Sequence, residues 1–256
     1  MSVFYRKNQK LFYREQGQGP LLLIFPGNTA SSACYIREIN HFSQYFHVIA
    51  VDLPGTGQSD RLEVWPDSWW QDGARVAAEL VNRLGEEGCV VMGSSSGGVC
   101  ALWMAILYPE MVRAVVADSC VPRLSPAQVR NTIAEREEPS EEMIAFWQYA
   151  HGPDWRQVIQ ADSDLLRRFA ERGRDWFEGR LRQVRCPVLL SASLGDSLLP
   201  DIGVQVFEMS RQIRTSQVFL IREGDHPLMW SCPEDFRCAC DSFFESVWVG
   251  KGMVLS

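Results

Sequence analysis

The sequence predicts an α/β fold in which a mostly parallel sheet is covered by helices on both faces. Two observations lead there. Short runs of β-branched and aliphatic residues, 21–25, 48–52, 89–92, 114–117, 188–191 and 217–221, alternate with stretches of helical periodicity, and that alternation marks βα units. The chain has 256 residues, 46% of them apolar, which suffices for one domain with a large buried core and argues against a second full domain.

Phe4-Tyr5 and Leu11-Phe12-Tyr13, separated by the polar turn from Arg6 to Lys10, predict an antiparallel hairpin leading into the sheet. Between Asp67, read as an N-cap, and Gly85, the apolar residues Trp70, Ala74, Ala77, Leu80, Val81 and Leu84 form one stripe of an amphipathic helix. Phe236, Phe243, Phe244 and Val247 repeat that pattern after Pro233. From about Pro122 to Arg185 the β/α rhythm breaks. That segment is acidic and arginine-rich and carries Phe146, Trp147, Trp155, Phe169, Trp176 and Phe177 in helix-like stretches. It predicts a helical cap at 122–185, inserted into a core domain of 1–121 and 186–256.

Bulk properties remove several function classes. Lys and Arg total 25 against 32 Asp and Glu, a net charge of -7 with no basic block to track a phosphate backbone, so no nucleic-acid partner is expected. The first ten residues lack the apolar core of a secretion signal, and no later stretch approaches the roughly eighteen apolar residues of a membrane span. A soluble, cytoplasmic protein is the expectation. The eight cysteines form no C-x-x-C pair, and Cys232, Cys238 and Cys240 have no histidines at ligand spacing, so neither metal nor organic cofactor is expected.

The chemistry concentrates in Gly93-Ser94-Ser95-Ser96-Gly97, a G-x-S-x-G match preceded by the strand-like Cys89–Met92 and followed by the apolar helix-like stretch Val99–Tyr108. A residue on such a tight strand-to-helix turn sits in strained geometry, and glycines two positions away on each side let the neighbouring elements approach. Of the three serines only Ser95 has that spacing. It is the predicted nucleophile, and the helix starting beside it offers unpaired N–H groups and a positive dipole end where an oxyanion would form.

A serine hydroxyl needs an imidazole to take its proton and a third group to fix the imidazole tautomer. Of the four histidines, His41 and His47 precede the serine and His151 lies in the predicted cap, whereas His226 follows the last predicted strand in the loop from Arg222 to Pro227. His226 is therefore the expected base. Asp196, just beyond the run at Val188–Ser191, is the first choice for the acid, and Asp118, beyond the preceding strand, is the alternative. Asp225 adjoins His226, and neighbouring residues seldom present side chains for that contact.

The loop from Pro26 to Ser32 follows the strand at Leu21–Phe25, and Gly27 permits an unusual turn there. The backbone N–H groups of Asn28 and Ser96 are the expected oxyanion donors, with Ser31 or Ser32 capping a following helix. A second glycine-rich loop, Asp52 to Asp60, contains Gly-x-Gly but neither a third glycine nor a Gly-Lys-Ser, so it reads as structural.

Together these motifs resemble the α/β-hydrolase superfamily over essentially the whole chain: Pro26-Gly27-Asn28, Asp52-x-Pro54-Gly55-x-Gly57-x-Ser59, Gly93-x-Ser95-x-Gly97, Asp196 and His226 stand in that family's order. The resemblance implies an eight-stranded, mostly parallel sheet, a helical lid, and a covalent acyl-enzyme resolved by water. Many members begin the oxyanion loop with His-Gly, where this chain has Pro26-Gly27. The Gly27-Asn28 stretch with Ser31-Ser32 is similar to that loop in haloalkane dehalogenases, but those enzymes and the related epoxide hydrolases use an aspartate nucleophile, and Ser95 points to acyl transfer instead.

The expected activity is a serine hydrolase acting on a small-molecule ester or related acyl substrate. The same groups could cleave a carbon-carbon bond, open a lactone, release an N-terminal residue or run perhydrolysis, and a ligand receptor with the hydrolase fold is the reading from another class. The six cap aromatics suggest an apolar or aromatic acyl group.

Overall fold

The strands at the centre of the molecule are apolar at successive positions, because both of their faces are covered. The computed structural model describes residues 2–173 and 175–249. Eight strands form one sheet: β1 (Ser2–Arg6), β2 (Gln9–Gln16), β3 (Leu21–Phe25), β4 (His47–Val51), β5 (Cys89–Ser94), β6 (Val112–Asp118), β7 (Val188–Ser193) and β8 (Ser216–Ile221). Their spatial order is β1-β2-β4-β3-β5-β6-β7-β8. The β1/β2 and β2/β4 pairings are antiparallel and every other pairing is parallel.

Alternation along each strand divides the core in two. Leu21, Leu23, Phe25, Val91, Val115 and Leu190 pack on α2 (Trp69–Arg83) and α3 (Ser96–Leu107). Leu22, Ile24, Val48, Met92, Val116 and Leu189 face α1 (Ile36–Phe42) and the last helix of the chain. Because β3 and β5 lie side by side mid-sheet, in register from Leu21↔Cys89 to Phe25↔Gly93, the loops leaving their C-terminal ends meet at one edge. That meeting place is where open parallel sheets bind ligands.

Between β6 and β7 the chain forms α4 (Pro126–Glu137), α5 (Glu141–His151), α6 (Trp155–Arg172) and a 3₁₀ turn at Leu181–Gln183. Ser125 begins α4 with a full capping box to Gln128. These helices bury no large core of their own. Val158, Leu165 and Leu166 of α6 join the same buried cluster as the strands, and only Trp147, Trp155 and Ile159 form a separate small one. After β7 come α7 (Ile202–Gln212), β8, the short α8 (Leu228–Ser231) and α9 (Pro233–Val249).

Each apolar run of the sequence is a strand, although most extend beyond the run. The hairpin turn shrinks to Lys7 and Asn8, with Arg6 and Gln9 paired. Asp67 does not cap α2. The N-cap position is Ser68, without a side-chain cap bond, and Asp67 forms ion pairs with Arg168 and Arg172 of α6. Among the described residues no helix is long and apolar enough to cross a membrane.

Candidate active site

Ser95 is placed by two close approaches of backbone. β5 ends at Ser94 and α3 begins at Ser96, so the chain turns over Ser95 alone, at φ 53° and ψ -125°. A non-glycine residue at positive φ is costly and persists only where its surroundings impose it. Here they do. A Cβ on Gly93 would lie 2.2 Å from the Gly97 carbonyl, and one on Gly97 would lie 2.0 Å from the Phe25 oxygen. The Ser95 N–H also donates to the Asp118 carbonyl at 2.7 Å, tying the turn to β6.

The three neighbouring serines have separate fates. Ser94 is fully buried, with its hydroxyl 2.5 Å from that of Tyr35. Ser96 is buried and its hydroxyl has no partner among the described residues. Ser95 is half-buried and lines a cavity of about 220 Å³.

His226 lines the same cavity. Its Nδ1 lies 2.7 Å from Asp196 Oδ2, and the other Asp196 oxygen accepts the Leu199 N–H at 2.8 Å. A carboxylate partner fixes the proton on Nδ1 and leaves the Nε2 lone pair free. Among the described residues no hydrogen bond joins Ser95 to His226, a bond that commonly tightens only when substrate binds. Asp225 holds the two loops together instead. It accepts the Ser197 N–H and hydroxyl, each at 2.8 Å, and the His226 N–H at 2.8 Å. The Ser197 N–H, first among these bonds, keeps the Asp225 carboxyl below its ordinary range.

Asp118, the alternative acid, does not bond to His226. Its oxygens accept the Ser191 hydroxyl at 2.7 Å and the Met229 N–H at 3.0 Å. Beside it the Ser119 hydroxyl accepts the Leu228 N–H at 2.9 Å. The pair thus clamps the start of α8, which follows His226 and Pro227. Burial pushes the Asp118 carboxyl up to about 7.

The loop after β3 supplies the opposite wall. Gly27 N–H donates to the Tyr35 hydroxyl at 3.0 Å, Ala30 N–H closes a turn on the Gly27 carbonyl at 3.1 Å, and Thr29 sits at φ 60°. Asn28 and Ser96 both line the cavity, and among the described residues neither backbone N–H has an acceptor. The Ser31 hydroxyl accepts from Ala33 N–H and caps the 3₁₀ turn Ser32–Tyr35. The second glycine-rich loop is structural: Asp52 accepts the Ser32 and Gln58 N–H groups, both at 2.7 Å, and fills the place where Gly57 has no side chain.

The alpha/beta hydrolase fold family model matches residues 20–186. This chain belongs to the α/β-hydrolase fold family. It is 37% identical over 109 residues to a 2-(acetamidomethylene)succinate hydrolase of Mesorhizobium japonicum, an alignment spanning 43% of this chain and only 38% of that relative. Among the solved structures that share its fold are two at TM-score 0.75. One is an E-2-(acetamidomethylene)succinate hydrolase, at TM-score 0.75 and 24% identity, covering 95% of this chain and all of the other. The second is a thermophilic esterase of Thermogutta terrifontis, at TM-score 0.75 and 23% identity, covering 93% and 94%.

Several residues that shape this site carry no sequence signal of their own. His151, at the end of α5, accepts the Gly57 N–H on Nδ1 at 3.0 Å, so Nε2 carries the proton and donates to the Thr29 carbonyl at 3.0 Å. Burial pushes this imidazole down to about 4, so it is neutral at ordinary pH. It ties the loop after β3 to both α5 and the second glycine loop. Of the six aromatics in the inserted segment only Phe146 and Trp176 line the cavity, joined by Trp230 from α8. Trp147 and Trp155 pack on each other at 5.2 Å, Phe169 stacks on Trp176 at 4.9 Å, and Phe177 is in the core.

Proposed function

We propose that this protein is a serine hydrolase acting on an ester or related acyl group through a covalent acyl-enzyme. The observation that carries the reading is the His226–Asp196 hydrogen bond, in a cavity that also receives Ser95 on its strained turn. Ser95 Oγ attacks the substrate carbonyl while His226 Nε2 takes its proton, and Asp196 steadies the imidazolium. The Asn28 and Ser96 N–H groups receive the oxyanion, donors of a kind worth about 10²- to 10³-fold each in turnover. His226 returns the proton to the leaving group, then activates water, and the second tetrahedral intermediate collapses to acid and free Ser95. In this reading residues 122–185 act as a lid, and Phe146 and Trp176 bear on the apolar part of a small acyl substrate.

The Mesorhizobium japonicum relative is named for a succinate bearing an acetamidomethylene group, which favours acyl transfer from nitrogen as a second reading. A panel of aryl esters of increasing acyl length, with matched anilides, decides between them. Labelling by a fluorophosphonate probe is expected in the wild type and absent in Ser95→Ala. Labelling that survives Ser95→Ala rejects the nucleophile, and labelling without turnover of any panel member points to a ligand receptor.

A further inference from the structure

The surface of the cavity above Ser95 is mostly apolar, yet one permanently charged side chain reaches it from the helices between β6 and β7. Gln128, Thr132 and Arg136 follow one another at intervals of four along α4, a spacing that stacks them on one helix face, and all three line the cavity. Gln128 is engaged at both ends: its carbonyl accepts the Ser125 N–H at 2.7 Å and its amide donates to Asp201 at 3.1 Å. Thr132 and Arg136 remain.

Arg136 is held from behind by α6. Its Nη1 donates to Asp162 Oδ2 at 2.6 Å and to the Ser163 hydroxyl at 3.1 Å. Those two bonds use both hydrogens of one terminal nitrogen. The Nε–Nη2 edge, the side of a guanidinium that grips a carboxylate with two parallel bonds, has no acceptor among the described residues. Neither nitrogen is sealed from solvent-sized space, although the side chain is only 9% exposed. The same arginine also lines a groove between α4, α5 and α6 that holds Arg156, Glu137 and Arg167, the last paired with Glu137 and Asp164, so it stands on the wall between the cavity and that groove.

A buried ion pair is a poor way to glue two helices, because desolvation of both charges cancels most of the attraction, and apolar residues serve as well. Asp162 is fully buried with one oxygen unpartnered among the described residues, and burial raises its carboxyl pKa. The pair therefore orients the guanidinium without saturating it. A carboxylate matches the free guanidinium edge in shape, and it adds less charge than a phosphate dianion would beside an arginine that Asp162 already partly offsets.

We propose that Arg136, assisted by the Thr132 hydroxyl, binds a carboxylate on the acyl substrate, so that this hydrolase prefers acyl compounds that carry an acidic group. The inference rests on the acyl-transfer reading for Ser95, and its test keeps the two apart. The measurement is the ratio of kcat/KM for 4-nitrophenyl esters of ω-carboxy acids to that for the neutral acids of equal length. A wild-type preference for the acidic ester is expected at one or two chain lengths, and Arg136→Met should lower the ratio by about tenfold to a hundredfold, the worth of a charge-assisted bond. Arg136→Lys should fall between. Asp162→Asn, which keeps the shape and removes the competing charge, should raise the ratio. If Arg136→Met does not fold, Arg136→Met with Asp162→Leu removes both charges and is expected to show the same loss. Equal ratios in the wild type and all four variants overturn the proposal. Calorimetric titration with glutarate supplies the independent arm. Glutarate binding to wild type that vanishes in Arg136→Met, in a protein that no fluorophosphonate labels, keeps the anion site and rejects the acyl-transfer reading. Ser95-dependent turnover of neutral esters, with no acid preference and no glutarate binding, does the reverse.

Discussion

Asp196 and Asp118 lie at the C-terminal ends of neighbouring parallel strands, both out of solvent and both near His226, yet they hold different partners. Asp196 gives one oxygen to the imidazole and the other to the Leu199 N–H. Asp118 spends both oxygens on Ser191 and the Met229 N–H. A strand end brings a carboxylate to the right edge of the sheet, but the hydrogen bonds it already owes decide whether it can orient a base. Asp118 secures the backbone that follows His226, and Asp196 secures the ring.

The largest effect expected from this difference is on turnover. Asp196→Asn should lower kcat on an aryl ester by about 10³- to 10⁴-fold, because an amide no longer fixes the Nδ1–H tautomer. Asp118→Asn should cost less than about tenfold, since it changes only the anchoring of the loop. Steady-state kinetics on the two variants reads this directly, and a reversed order would hand the role to Asp118.

Stability against pH separates buried groups by sign. Asp118 is pushed up to about 7, so the folded state retains a proton that the unfolded chain has lost. Between about pH 4 and 7 the wild type should therefore lose stability relative to Asp118→Asn as pH rises, at about 1.4 kcal/mol per unit. His151 runs the opposite way. Pushed down to about 4, it stays neutral in the fold while the unfolded chain takes up a proton. Relative to His151→Gln, the wild type should lose stability as pH falls from about 6.5 to 4, with a similar slope. Urea titrations across that range check both slopes.

The smallest expected effect concerns what lies beneath the serine turn. Tyr35→Phe strips the buried Gly27 N–H and Ser94 hydroxyl of their shared partner, which should cost about 1–3 kcal/mol in thermal unfolding. An unchanged midpoint would show that the loop finds other partners.

The parts of the molecule legible in the sequence are those written in local pattern. β3 and β5 announce themselves as short apolar runs, and Gly93 and Gly97 mark a turn because a Cβ at either position would fall 2.0–2.2 Å from neighbouring backbone. Asp196 and His226 were reachable through their places after β7 and β8. What stayed hidden depends on contacts between distant positions. His151 meets Gly57 across 94 residues and Thr29 across 122, and nothing near it in the chain foretells either bond. Arg136 looks like one more charge in a charged helix until α6 folds behind it. The aromatics of residues 122–185 show the same limit, since their number is visible in the sequence and their direction is not. Phe146 and Trp176 reach the cavity, while Trp147, Trp155 and Phe177 serve packing.

Rapid acid quench of the wild type with a slowly deacylating aryl ester, followed by peptide mapping by mass, probes the proposed chemistry at its reacting atom. The expected result is one acyl group on the peptide bearing Ser95, formed in a burst and absent from Ser95→Ala. Acylation of any other side chain, or turnover of the ester with no acylated protein under conditions that trap such adducts, would contradict the account.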